Sequence, residues 1–246
     1  MNHVHNKQQG FTLIELTLAM AFISFLLLAI ALTIIQISAI YNQGTTSREI
    51  NQASRDINAD LSRNISAAGA LTLADDYVLR PLTGDPVGGR LCLGSYSYIW
   101  NYTKAIQSDN TDVTKYVSGP AGDTGIRLLK VPDPGRIYCA KDGSGSLANK
   151  NVSEADRLRA QELLKPGDHE LGLHNFAFIS PVPASAIDTA TEQQVYSLTY
   201  TIGTTKLGAL NPTQTACLAP GILNADPLYC KIQQFSLVLR AGNGVN

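Results

Sequence analysis

The sequence predicts an α+β protein: a long N-terminal helix, transmembrane at first and amphipathic afterwards, packed on an antiparallel β-sheet ectodomain. Three observations predict it. A nearly unbroken apolar run extends from Leu16 to Ile35 and trails on to Ile40. Apolar residues then recur at spacings of three or four as far as Ala68, and beyond residue 70 the period shifts toward two. The chain divides accordingly into a polar leader (1–10), a transmembrane helix (11–40), its amphipathic continuation (41–70) and a β-rich globular ectodomain (71–246).

The apolar run opens on one carboxylate. In Gly10-Phe11-Thr12-Leu13-Ile14-Glu15-Leu16, Glu15 stands at the mouth of a segment made of Leu, Ile, Ala, Phe and Met and broken only by Thr17, Ser24 and Thr33. A run of that length suffices for one helix of about 30 Å, the thickness of a bilayer's hydrocarbon core. A charge at membrane depth costs roughly 2.5 to 3.5 kcal/mol, so Glu15 calls for a compensating partner. One alternative needs no partner: in the first helical turn the macrodipole favours an anion, and the side chain reaches back to the interface. Another treats residues 1–31 as an ordinary secretory signal, with Lys7 as its charged region and Ala29-Ile30-Ala31 as a small-x-small cleavage site. A glutamate beginning the apolar core is foreign to such signals, and a leader ending in Gly10-Phe11 goes unexplained by them.

Residues 7 to 40, and above all Gly10-Phe11-Thr12-Leu13-Ile14-Glu15-Leu16 with the apolar run behind it, resemble the N-terminus of type IV prepilins and of the related pseudopilins of type II secretion. The resemblance implies a membrane prepilin peptidase that cuts after Gly10 on the cytoplasmic side and N-methylates the new terminus, Phe11. It also implies a partner for Glu15. As the fifth residue of the mature chain, Glu15 would pair with the Phe11 ammonium of a neighbouring subunit during filament assembly. Lys7 is the only permanent charge of the leader, beside His3 and His5, so orientation rests more on this motif than on a positive-inside signal.

The helix is expected to continue past the membrane. Ile50, Ala53, Ile57, Leu61, Ile65 and Ala68 form an apolar stripe, with Arg48, Glu49, Arg55, Asp56, Asp60 and Arg63 largely between them, and such a stripe needs a sheet to cover. Tyr41 to Ser47 is the polar junction. Gly44 costs about 1 kcal/mol against Ala inside a helix, so a softened turn is expected there, with a straight helix as the alternative. Gly69 and its small neighbours are expected to end the element.

Candidate strands follow at Tyr77–Leu82, Arg90–Thr103, Ile126–Val131, Arg136–Ala140, Leu173–Ser180, Gln194–Ile202 and Lys231–Ala241. The strongest are Val195 to Ile202 and Phe235 to Leu239, rich in β-branched and aromatic residues. Gly84-Asp85-Pro86, Gly119-Pro120, Pro132-Asp133-Pro134-Gly135 and Pro181-Val182-Pro183 read as turns or loops. Ser153 to Leu164 reads as a short inserted helix, with Ser153 as N-cap, Glu154 and Asp156 in the first turn and Lys165-Pro166-Gly167 as its stop.

All four cysteines, Cys92, Cys139, Cys217 and Cys230, follow the membrane segment, and their even number fits two disulfides in an oxidising compartment. Three pairings are open. Closure between nearest neighbours joins Cys92 to Cys139 and Cys217 to Cys230; buried free thiols are the alternative. No pair has the C-x-x-C spacing of redox catalysis or a zinc knuckle.

Other chemistry is thin, and no enzyme activity, cofactor or metal is expected. His169 and His174, the two histidines beyond the leader, lack the i, i+4 spacing of a helical metal pair and have no neighbouring nucleophile motif. Gly143-Ser144-Gly145 lacks the lysine and third glycine of a phosphate loop. Asp109-Asn110-Thr111-Asp112 and Asp75-Asp76 offer oxygen atoms for calcium without an EF-hand pattern and read as solvated loops. Asn64, Asn101 and Asn151 begin formal glycosylation sequons, mostly incidental in the prokaryotic setting that the resemblance implies.

Removal of the leader takes one Lys and leaves 18 basic against 20 acidic side chains, so general electrostatic attraction to nucleic acid or anionic lipid is not expected. The resemblance implies a structural subunit of a type IV pilus or related filament. Prepilin peptidase, other pilin subunits meeting it through the N-terminal helix, and the inner-membrane assembly machinery are its implied partners. It would be a single-pass protein of the cytoplasmic (inner) membrane before assembly, with its ectodomain outside the cytoplasm, and part of a cell-surface filament afterwards. The ectodomain is larger than most major pilins carry, which favours a minor pilin in assembly initiation, adhesion or motility, or a type II secretion pseudopilin, of the J or W type. A major shaft subunit and a membrane-anchored adhesin or binding module that never polymerises are the alternatives. An exported hydrolase would need a nucleophile constellation that the sequence does not show.

Overall fold

The computed structural model describes residues 12–80, 85–106, 117, 119, 125–141, 151–164, 170–180 and 194–241. Its architecture is α+β. Helix α1 runs unbroken from Leu13 to Ala67, 55 residues or about 80 Å. Thr12 caps its start, and it is long and apolar enough to cross a membrane. The softened turn expected at Gly44 is absent: the helix passes through it, because no tertiary contact displaces the local ladder and nothing lies within 4 Å of where a Cβ would sit. The helix ends at Ala67, two residues before Gly69, when Ala68 turns extended and donates its N–H to the Ile65 carbonyl. The short helix α2 (Leu73–Asp76) then leads into the sheet.

Five strands form the first antiparallel sheet in chain order: β1 (Tyr77–Arg80), β2 (Gly88–Cys92), β3 (Tyr96–Asn101), β4 (Leu128–Pro132) and β5 (Gln161–Glu162). Arg90–Thr103, expected as one strand, is a hairpin. Gly94 at φ +87° turns the chain so that Leu93 donates to the Tyr96 carbonyl and Leu91 lies opposite Tyr98. The last residue of that span, Thr103, starts α3 (Thr103–Ile106). Arg136–Ala140 is likewise no strand. The buried Asp133 carboxylate accepts the N–H groups of Ile137 (2.8 Å) and Tyr138 (3.2 Å) and the Ser97 hydroxyl (2.7 Å), curling the segment into a turn with Arg136 at φ +50°. Local side-chain acceptors of this kind outcompete a ladder. Ser153 caps α4 (Glu154–Arg159) as expected, but the helix stops early because Gln161 and Glu162 pair with β4 and the Glu162 side chain accepts the Leu128 N–H.

A second antiparallel sheet holds β6 (Leu171–Ile179), β7 (Gln194–Thr204) and β8 (Ile232–Ala241), where the sequence implied a single sheet. The sheets share one core. Trp100 of β3 meets Phe176 of β6 with ring centroids 4.4 Å apart, and the Tyr102 hydroxyl bonds the Phe176 backbone. Gly89 makes room for the Trp100 ring, which would lie 2.6 Å from a Cβ there. Into this core α1 sets Ile50, Ile57, Leu61 and Ile65, all fully buried.

Candidate functional site

The first turn of α1 is built as a capping box. The Glu15 carboxylate accepts the Thr12 N–H at 2.9 Å and the Thr12 hydroxyl at 2.7 Å, while Glu15 N–H reaches back to the Thr12 hydroxyl at 3.4 Å. Thr12 and Glu15 thereby satisfy donors that a helix start leaves open, and the carboxylate sits at the favourable end of the macrodipole. No cation is among the described contacts of Glu15, and Gly10 and Phe11 lie outside the described residues. The signal for Thr12 in the sequence is the Thr-x-x-Glu pattern that announces a capping box. Beside the carboxylate, Leu18, Ala19, Ala21 and Phe22 line a shallow apolar depression.

Every residue from Leu13 to Ser38 is exposed, and three of the four hydroxyls in this stretch are satisfied within the helix. Thr17, Ser24 and Thr33 donate to the carbonyls of Ile14, Met20 and Ile30 at 2.7 to 3.0 Å. A helix bare and almost wholly apolar on all sides, with the hydroxyls of its apolar run closed internally, meets the requirement of a lipid environment.

The opposite end of α1 is tied down by tyrosines that sequence periodicity could place on the inner face but not match to partners. Tyr200 donates to Asn58 Oδ1 (2.7 Å) and lies 2.9 Å from the Ser54 hydroxyl; burial pushes its pKa up to about 12. Tyr196 bonds both backbone groups of Leu71 just past the helix. Asp60 accepts from Tyr98 and from the Lys130 ammonium, each at 2.7 Å, and burial followed by Asp60 itself holds the Tyr98 proton on. The ectodomain is thus keyed to one face of the helix.

Two disulfides close the chain, Cys92 to Cys139 and Cys217 to Cys230, with Cα separations of 6.3 and 5.9 Å, so the nearest-neighbour pairing is the one present and no cysteine is free. His174 lies against the Thr204 carbonyl (3.1 Å) and Gln214 (3.3 Å), and burial lowers its pKa. Asp75 and Asp76, expected in a solvated loop, lie in α2: Asp76 is buried and engaged by Arg136 and by the Thr72 N–H, and Asp75 pairs with Lys141. Among the described residues no His, Cys, Asp and Glu side chains gather in a metal-holding group. His169, Asp109 to Asp112, Gly143 to Gly145, the Lys165-Pro166-Gly167 stop and the Pro181 to Pro183 loop lie outside the described residues. Asn101 is fully buried, donating to the Val117 and Ile126 carbonyls, and Asn64 is held by Tyr98 and the Asp60 carbonyl. Comparison with family models, curated proteins and solved structures finds no match to this chain.

Proposed function

We propose that this chain is a structural subunit of a type IV pilus or a related filament, a minor pilin or pseudopilin, processed between Gly10 and Phe11 and assembled through α1. The observation that carries the reading is the run Gly10-Phe11-Thr12-Leu13-Ile14-Glu15-Leu16 at the head of a helix exposed and apolar over its first half and keyed to an ectodomain over its second. A helix of that form leaves a membrane only for another apolar surroundings, and a bundle of like helices supplies it. Glu15 then exchanges its local Thr12 donors for the Phe11 ammonium of a neighbour, which sets the axial register between subunits.

The capping box makes the test sharper. Glu15→Gln keeps an oxygen that accepts from Thr12 and removes the charge; Thr12→Ala removes the cap, at about 1 kcal/mol, and keeps the charge. In cells, Glu15→Gln and Glu15→Val are expected to accumulate as membrane monomer and to fall in their ratio to the major pilin in sheared filaments, with Thr12→Ala close to wild type. Equal incorporation of wild type and both Glu15 variants refutes the pairing. Intact-mass measurement tests processing separately: the mature chain is expected to begin at N-methylated Phe11, and a terminus at Leu32 returns the chain to the ordinary secreted class.

A further inference from the structure

The segment between Cys217 and Cys230 carries an apolar tip that neither the fold nor filament register accounts for. Ala219-Pro220-Gly221-Ile222 closes a turn in which Ile222 N–H bonds the Ala219 carbonyl and Gly221 sits at φ +93°. Ile222-Leu223-Asn224-Ala225 closes a second, with Ala225 N–H on the Ile222 carbonyl and Asn224 at φ +68°. Pro-Gly at the first corner and Asn at the second match the demands of successive type II turns. These turns hold Ile222 and Leu223 outward, 52% and 85% exposed, at corners where polar residues ordinarily stand. From Ala216 to Ala225 the segment has no charged residue, and the one carboxylate that follows, Asp226, is paired with Lys206 at 3.0 Å. Elsewhere among the described ectodomain residues, Ile137, Leu158, Ile179 and Val238 are exposed without an exposed large aliphatic neighbour in sequence, which is ordinary for a protein surface.

Position gives the tip its meaning. The loop reaches α1 through Gln43, whose side-chain amide donates to the Pro227 carbonyl. Gln43 lies three residues beyond Ile40, where the apolar run ends, which is roughly 4.5 Å of helix. Burial of α1 begins at Ala39 and Asn42, so the ectodomain meets the helix at the very edge of its apolar half. Tyr41 stands at this level of the helix and Tyr229 lies two residues from Pro227; both are exposed, and tyrosine is a side-chain type that collects where hydrocarbon meets headgroups. Resting on the reading of α1 as a membrane helix, we propose that the disulfide-closed loop is a second membrane contact: Ile222 and Leu223 enter the headgroup region of the bilayer that α1 spans and fix the tilt of the ectodomain before assembly. Two attachment points constrain a rigid body's orientation, where a single membrane helix leaves helix and ectodomain together free to tilt and to spin about the helix axis.

The test uses the full chain, extracted from membranes and reconstituted into lipid nanodiscs with bromine placed near the headgroups or deep in the acyl chains. Trp100 is the only tryptophan and is fully buried, so it supplies a constant background. Leu223→Trp is expected to show blue-shifted emission quenched about twofold by shallow bromine and less by deep bromine, and Ile222→Trp the same pattern. Leu27→Trp reports α1 and is expected to answer to deep bromine. Water-like, unquenched emission from both loop variants while Leu27→Trp is quenched overturns the proposal and leaves the membrane helix standing. Quenching of none of the three overturns the membrane reading of α1 and the loop contact with it. Loop tryptophans exposed in nanodiscs but shielded in isolated filaments assign the tip to a neighbouring subunit instead, which also refutes the bilayer contact.

Discussion

Residues 13–38 and residues 46–65 belong to the same helix and have opposite surroundings. In the first stretch every side chain is exposed; in the second Thr46, Ile50, Ser54, Ile57, Leu61 and Ile65 form a buried line at spacings of three and four. The backbone does not register the change, since the intrahelical ladder is indifferent to what lies outside it. The difference resides in the side chains alone. In the first stretch an all-round apolar surface leaves the choice of partner to the medium; in the second, Ser54, Asn58, Asp60 and Asn64 specify one partner through hydrogen bonds to Tyr200 and Tyr98. One half offers apolar surface without a partner in the protein, the other a fixed contact with the ectodomain.

The largest expected effect comes from truncating the same residue type in each half. Leu61 is fully buried, so Leu61→Ala should cost about 3 to 4 kcal/mol of ectodomain stability, as a cavity in a packed core does. Leu27 is 60% exposed, and Leu27→Ala should leave that stability unchanged within about 0.5 kcal/mol. Denaturant unfolding of the full chain in detergent, followed by Trp100 fluorescence, reads both. Comparable losses from the two variants would show that the apolar half packs on the ectodomain and would end the contrast.

How far the two halves were legible follows from what a sequence encodes in one dimension. Periodicities of 3.6 and 2 identify a buried face without its partner, which is why Ile50, Ile57, Leu61 and Ile65 were readable and the tyrosines of β7 and β3 that grip α1 were not. Turns made by nearby residues can be read; those made by distant ones cannot. Asp133 curls its segment with help from Ser97, on another strand, so Arg136–Ala140 passed for a strand. The hairpin at Gly94 hid inside an otherwise continuous run of strand formers. Four cysteines allow three pairings by arithmetic, and only the fold brings Cys92 within 6.3 Å of Cys139. Glu15 stood out because a carboxylate in an apolar run is chemically conspicuous, whereas Thr12, a threonine among leucines, drew no notice without its hydrogen bonds.

A smaller effect sharpens what holds the second half in place. Tyr200→Phe keeps the ring in the aromatic core and removes the hydroxyl shared by Ser54 and Asn58. Leaving the buried Ser54 and the half-buried Asn58 without it should cost about 1 to 2 kcal/mol. A double variant that also carries Asn58→Ala should lose less than the two separate losses together, since the groups act on one another. Additive losses would mean that the keying of α1 to β7 is a matter of apolar packing alone.

The smallest effect concerns the boundary between the halves. Gly44 lies inside the helix, is exposed, and has open space where a methyl group would go. In a continuous helix Gly44→Ala should therefore stabilise the chain by about 0.5 to 1 kcal/mol, through the backbone entropy that glycine retains when unfolded. If the turn around Gly44 is instead open in the native protein, alanine gains little because the residue is not helical in the state being measured. Hydrogen exchange at the amides of Gly44 to Arg48 separates the cases, with protection matching the rest of the packed half expected for the continuous helix. Protection near zero there, with no gain from alanine, would make the boundary a joint between two mechanically separate segments. The carboxylate at Glu15 and the ectodomain would then be positioned independently, and a loop contact at the bilayer would hold the ectodomain without constraining the helix.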